Sequence, residues 1–149
     1  NRQLQSLVQA ELFEEALVTD FLFAKDRLFA ETTLDQHELD LYEQVAAGLT
    51  MDAPEPDLVV YLQASPDVLL SRIMERNRPG EAYIDKEYLQ RLSDAYTGFF
   101  HRYNESPLLI VNAGSINPLE RDEDYNMLLE QICTVSKGKH YFNTMPLEP

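Results

Sequence analysis

Asp57-Leu-Val-Val-Tyr-Leu-Gln63, followed by Ser65-Pro66-Asp67 and then Arg72-Ile-Met-Glu-Arg76-Asn-Arg78, is the stretch from which the fold is read. Its first seven residues are almost continuously apolar, the pattern of a parallel strand buried on both faces. Ser65 offers an N-cap oxygen and Pro66 a pre-set first helical residue, so the strand passes directly into a helix. Arg72 and Arg76 stand four residues apart, on one helix face. Arg78 lies past the helix end beside Pro79-Gly80, where the chain can bend. In a chain of formal net charge −14, cations bunched this way point to an anionic ligand. The guanidinium fork suits phosphate oxygens, so the loop after this helix reads as a phosphate-handling lid. The same spacing also fits a solvated face on which Glu75 and Glu81 pair with the arginines.

Outward from this segment, helices and strands alternate. Leu4, Leu7, Val8, Leu12 and Phe13 keep a near-helical period. Ala16-Leu-Val-Thr19 reads as a strand end leading to Asp20, and helical spacing returns over Phe21 to Glu31. Asp35 with Glu38 forms a capping box, stapled by Leu34 and Leu39, for a helix running to about Gly48. Met51 to Pro56 reads as a loop. Downstream, Asn77 to Tyr83 is a polar loop and Asp85 caps a long helix with the apolar stripe Tyr88, Leu89, Leu92, Ala95, Tyr96, Phe99, Phe100, Tyr103. Leu108 to Val111 reads as a second buried strand, followed by a loop through Pro118 and a helix from about Glu120 to Val135. Lys137, Lys139, Tyr141 and Phe142 fall in a tail. The alternation predicts an α/β fold with a parallel sheet, whose ligands gather beyond the strand carboxyl ends. Those ends carry Asp20, the Gln63–Ser65 turn and Asn112–Gly114.

Composition narrows the function. With 149 residues, 44% of them hydrophobic, one domain with its own core is feasible. An excess of 26 acidic over 12 basic residues argues against nucleic-acid polymers and anionic membranes as partners. Cys133 is the single cysteine, which favours a reducing compartment and leaves no metal-binding cysteine spacing. No run approaches the ~18 apolar residues of a membrane span, and no signal peptide is visible, so a cytoplasmic protein is expected. His37, His101 and His140 are scattered and suggest no cluster.

The strand, cap and arginine motifs, continued by Glu81, Ile84 and Glu87-Tyr88-Leu89, resemble the deoxynucleoside kinases. Thr19-Asp-Phe-Leu-Phe-Ala-Lys-Asp-Arg-Leu-Phe-Ala30 is similar to the segment after the third strand in their bacterial deoxyadenosine/deoxyguanosine kinase branch. The resemblance covers nearly the whole chain, taken as one domain over 1–149 with a lid at about 76–84. It implies the parallel-sheet P-loop kinase fold, a three-layer αβα arrangement lacking its first two strands. It implies ATP as phosphate donor, Mg²⁺, a purine deoxynucleoside as acceptor, and a homodimer formed through the helices near Leu4–Phe13 and Leu39–Val45. Arg72, Arg76 and Arg78 match lid arginines that hold the transferring phosphoryl group, Arg76 and Arg78 thereby contacting the donor. Glu81 matches the glutamate on the sugar 3′-hydroxyl. Asp20 falls at an acidic position near metal and phosphates, Asp26 at one reaching the nucleobase with Arg27 beside it, and the loop from about Asn112 to Asp124 near the donor's adenine. On the residues alone, Asp20 reads first as a helix N-cap, while Asp26 and Arg27 fit an exposed charge pair and Glu81 a loop carboxylate.

Two departures stand out. Many relatives carry Glu-Arg-Ser where this chain reads Asp20-Phe21-Leu22, and G-x-x-x-x-G-K-[ST] occurs nowhere in it. The family's general base, a glutamate after the second strand, also has no counterpart. The chain is therefore expected to be the C-terminal portion of a kinase, without turnover by itself. Two rivals remain: a thymidylate-like nucleoside-monophosphate kinase, and a non-catalytic interaction module that keeps the fold. Lys25 and Arg27 are the cations the first rival would need.

Overall fold

Asp35 and Glu38 start a helix by exchanging hydrogen bonds. The Glu38 N–H donates to Asp35 Oδ1 and the Asp35 N–H to Glu38 Oε2, both at 3.0 Å, which satisfies two otherwise orphaned donors. The computed structural model describes residues 17–20, 22, 24–47, 55–81 and 83–144, and the chain divides into two units, 1–55 and 56–149. In the first unit, α1 (Ala24–Thr33) is followed by the helix this box begins, α2 (Gln36–Ala47). The strand end expected at 16–19 does not form over 17–19: no strand is present among the described residues of this unit, and Leu17 and Val18 are exposed. An extended segment without a partner strand leaves its amides to water, and apolar content alone does not order it. The helix expected at Leu4–Phe13 lies outside the described residues.

The second unit holds β1 (Val59–Gln63), α3 (Pro66–Arg76), α4 (Lys86–Arg102), β2 (Leu108–Asn112), α5 (Asp122–Thr134) and β3 (Lys139–Phe142). The sheet is parallel throughout, in the order β1-β2-β3, with Val59 opposite Leu108, Gln63 opposite Asn112, and Leu108 opposite Lys139. β2 is central, and Leu109 and Val111 are fully buried. Because side chains alternate along a strand, the sheet has two distinct faces. On one, Val60, Leu109 and Val111 pack with Leu128, Ile132 and Val135 of α5 and its C-terminal end. On the other, the Tyr61 ring stacks 4.4 Å from Phe100 of α4, with Tyr96 at 5.9 Å. Helix, sheet and helix form three layers, as the alternating pattern predicts.

Local codes set the boundaries. Ser65 caps α3 from Val68 N–H at 3.4 Å with Pro66 at its first position, and Asp85 caps α4 from Tyr88 N–H at 2.7 Å. β3 was expected to be tail. Its Lys-His-Tyr-Phe sequence is partly exposed and carries no apolar run, but Gly138 at φ +74 turns the chain onto β2. The Lys139 ammonium then donates to the Phe100 and His101 carbonyls at 2.8 and 2.7 Å, closing the end of α4 where a cation also suits the helix dipole.

Candidate functional site

The lid begins where α3 stops. Asn77 takes the left-handed conformation, φ 44 and ψ 49, and its N–H closes on the Ile73 carbonyl. Gly80 at φ +97 continues the turn, the Glu81 N–H reaches Arg78 O at 3.3 Å, and the Ile84 N–H reaches Glu81 O at 3.1 Å. This geometry returns Glu81 onto the last turn of α3. Arg76 Nη2 donates to both Glu81 carboxylate oxygens, at 2.8 and 2.9 Å. The pair is partly wet, the side chains being 47% and 23% exposed. Lys86 at the start of α4 meets Asp67 at the start of α3 across 2.6 Å, an exposed ion pair between the two helices that flank the lid. Arg78 is exposed and makes no hydrogen bond or ion pair through its guanidinium among the described residues.

Arg72, expected from sequence to join the other two on phosphate, is placed differently. Its Nη2 donates to the carbonyls of Ala113 and Ile116, at 2.8 and 3.4 Å, in the loop that leaves β2. The three arginines thus have three situations: one on backbone carbonyls, one on a carboxylate, one in solvent. The loop itself is heavily bonded. Asn112 Oδ1 accepts the Gly114 N–H at 3.1 Å, Ser115 Oγ donates to Asn112 O at 2.9 Å, and the Thr144 hydroxyl reaches Ser115 Oγ at 3.0 Å. Asp124, buried on the first turn of α5, accepts the Asn117 N–H at 2.7 Å and pairs with Arg121 at 2.7 Å.

Beyond the carboxyl ends of the strands lies an open cleft of about 440 Å³, lined by Gln63, Ser65, Ser93, Asn112, Tyr141 and Asn143 among others. This is the crevice where open α/β sheets bind ligands. Among the described residues that line it, none is charged. Tyr141, Asn143 and Asp124 were not singled out as site groups from sequence: the first two lie in a segment that reads as tail, and Asp124 resembles its acidic neighbours Asp122 and Glu123.

The remaining candidates lie in the first unit. Asp20 is exposed, and Lys25 Nζ donates to its backbone carbonyl at 3.0 Å. Asp26 and Arg27 do not pair with each other. Asp26 accepts the Tyr42 hydroxyl at 3.1 Å; partial burial and this hydrogen bond hold the phenol above its ordinary pKa. Arg27 reaches Glu31 at 2.7 Å and Glu43 at 3.2 Å, and the hydrogen bond to Glu31 with the attraction of both carboxylates raises its pKa further. Both cations the monophosphate-kinase rival would use are therefore engaged. Among the described residues no group of three or more potential metal ligands converges. Asp20 offers one exposed carboxylate, and Mg²⁺ keeps waters and takes one or two carboxylates plus substrate phosphates.

The family model for deoxynucleoside kinase matches residues 2–136. A deoxyguanosine kinase of Bacillus subtilis is 38% identical over 82 residues, covering 55% of this chain and 40% of that protein. A deoxyadenosine kinase of Lactobacillus acidophilus is 28% identical over 131 residues, covering 78% of this chain and 60% of that protein. The chain thus spans 40 to 60% of the length of these two relatives. Among solved structures, deoxyadenosine kinase from M. mycoides with bound dATP matches with a TM-score of 0.69 at 23% identity, over 87% of this chain and 68% of that one. At that identity the likeness is one of fold, the α/β P-loop kinase type.

Proposed function

The chain belongs to the deoxynucleoside kinase family, and on that premise we propose that it supplies the lid and acceptor-side groups of an enzyme phosphorylating purine deoxynucleosides. The reaction transfers the γ-phosphoryl group of ATP, with Mg²⁺ arriving on the triphosphate as part of the substrate, to the nucleoside 5′-hydroxyl. The observation that carries this reading is the lid: a cationic turn, Arg76 to Glu81, in a chain of net charge −14. Phosphoryl transfer asks the protein chiefly to position groups and to neutralise charge developing on the phosphate oxygens. Arg78, free and exposed, and Arg76, held only by a partly solvated carboxylate, are the groups able to turn onto those oxygens. When Arg76 does so, Glu81 is released to accept the sugar 3′-hydroxyl. By the family resemblance, Asp26 and Arg27 are assigned to the acceptor base and Asp20 to the phosphates.

Leu41 and Val45, one turn apart on α2 and both exposed, support a homodimer through this helix. Purine preference follows the deoxyguanosine and deoxyadenosine kinases it resembles. No glycine-rich loop ending in Lys-Ser or Lys-Thr occurs in these 149 residues, so turnover is measured on the intact gene product. Supplied with labelled ATP, that protein is expected to phosphorylate deoxyadenosine or deoxyguanosine in preference to thymidine and to deoxyadenylate. Preference for the monophosphate would replace this reading with the monophosphate kinase. Failure to phosphorylate any nucleoside or nucleotide would leave the interaction module.

A further inference from the structure

Tyr83 is 81% exposed, the most exposed aromatic side chain among the described residues. It holds the third position of the turn that the Ile84 N–H closes on Glu81 O, at 3.1 Å. Turns favour glycine, asparagine, aspartate and serine, each for a backbone reason, and tyrosine supplies none of these. Packing does not explain it either. The phenol oxygen lies over Gly80, 3.8 Å from where a β-carbon would stand. The side chain makes no hydrogen bond or ring contact with any other described residue. A large ring is thus held in water two residues from Glu81 and five from Arg78. The lid is anchored at both ends, by the Asn77 cap of α3 and the Asp85 cap of α4. A movement that carries Arg78 onto phosphate falls between those anchors and takes Tyr83 with it.

The reaction gives such a ring something to do. A γ-phosphoryl group that passes to a nucleoside hydroxyl can pass to water instead. Water's oxygen then forms the new P–O bond, the β–γ bridge breaks, ADP leaves, and a proton goes to solvent. Cations stabilise the charge on the phosphate oxygens in either transfer, so the arginines do not choose between the two nucleophiles. Closure that expels water does choose. We propose that Tyr83 is the seal of the lid: on closure its ring leaves solvent and shields the γ-phosphoryl group from water, so that the nucleoside hydroxyl is the nucleophile left. This rests on the kinase reading above. The ring acts through its bulk and apolarity, and the hydroxyl is dispensable.

The test uses the intact gene product, unaltered and as Tyr83→Ala, Tyr83→Phe and Tyr83→Trp. At such exposure these changes leave the core untouched. Inorganic phosphate and nucleoside monophosphate are measured together in one reaction with labelled ATP. Tyr83→Ala is expected to raise the phosphate released per nucleotide formed by about fivefold or more, with both KM values within about twofold of the unaltered protein. Tyr83→Phe should restore the low ratio. These 149 residues contain no tryptophan, so Tyr83→Trp adds emission that is read as the difference from the unaltered protein. Its quenching by acrylamide should fall by about half or more when the deoxynucleoside and an ATP analogue with a non-transferable γ-phosphate are both bound. An unchanged ratio in Tyr83→Ala, or quenching that does not respond to the two ligands, would overturn the proposal. A Tyr83→Phe variant as leaky as Tyr83→Ala would also overturn it, since the hydroxyl would then be the working part. An unaltered protein that phosphorylates no nucleoside sinks the kinase reading itself, a result distinct from an active kinase whose Tyr83→Ala variant releases no extra phosphate.

Discussion

Replacing Glu81 with Gln should strengthen the binding of a bare polyphosphate to the lid. In the structure Arg76 spends one guanidinium nitrogen on both Glu81 oxygens, and an entering phosphate must displace that carboxylate. The pair is nearly half exposed on the arginine side, so its worth belongs with partly solvated ion pairs, about 0.5–1 kcal/mol. Relieving that competition should tighten tripolyphosphate binding by roughly two- to fivefold. Any loss of a carboxylate from so acidic a chain favours anions slightly. Glu75→Gln is therefore the control: the same charge change on α3, at a residue whose oxygen accepts the Ser71 hydroxyl rather than an arginine. Isothermal titration with tripolyphosphate at low ionic strength should show the larger gain for Glu81→Gln. The difference between the two variants should shrink as salt shortens the screening length to ~3 Å at 1 M. Equal affinities for the two variants at low salt, or weaker binding in Glu81→Gln, would refute the idea that Glu81 competes with phosphate for Arg76.

Two further outcomes concern the scaffold. Leu109, fully buried at the centre of the sheet among Val111, Ile116 and Val135, should cost about 3–5 kcal/mol when cut to alanine, read as a lowered denaturant midpoint at unchanged slope. Burial raises the Tyr61 phenol above its ordinary value against the opposing Thr97 hydrogen bond, and burial followed by the neighbouring Tyr61 and Tyr88 raises Tyr96. Below pH ~10 both phenols are neutral in folded and unfolded chains alike. Above it the unfolded chain ionises first, so stability present at neutral pH is lost as pH climbs through the raised values. The denaturation midpoint should fall from about pH 10 upward, and less steeply in Tyr61→Phe; an identical fall in that variant would contradict the assignment.

Most of the scaffold was legible because its signals are short-range. The Asp35–Glu38 box, Ser65-Pro66 and Asp85 each decide a helix start from within four residues, and β1 and β2 announce themselves as apolar runs. β3 was not legible: four residues of mixed exposure become a strand only because Gly138 turns them onto β2, a partner some thirty positions earlier. The opposite failure occurred at 17–19, where apolar residues lacked a described partner strand. The site divides in the same way. Glu81 stood among the possible partners of the arginines by proximity in sequence, and it is where Arg76 goes. Arg72's use of Ala113 and Ile116 depends on where a loop 41 residues away comes to rest, which no local pattern encodes. Asp124 gave no signal among its acidic neighbours, because only burial distinguishes it.

β1 pairs with β2 on one side, and on the other no described strand adjoins it. Among the described residues, its outer margin is a row of amides and carbonyls without a strand, with the exposed Leu62 as an apolar foothold beside it. In any preparation that leaves that margin uncovered, two copies meeting margin to margin would extend the sheet rather than end it, and there a variant placing lysine at Leu62 should delay clouding without touching the lid.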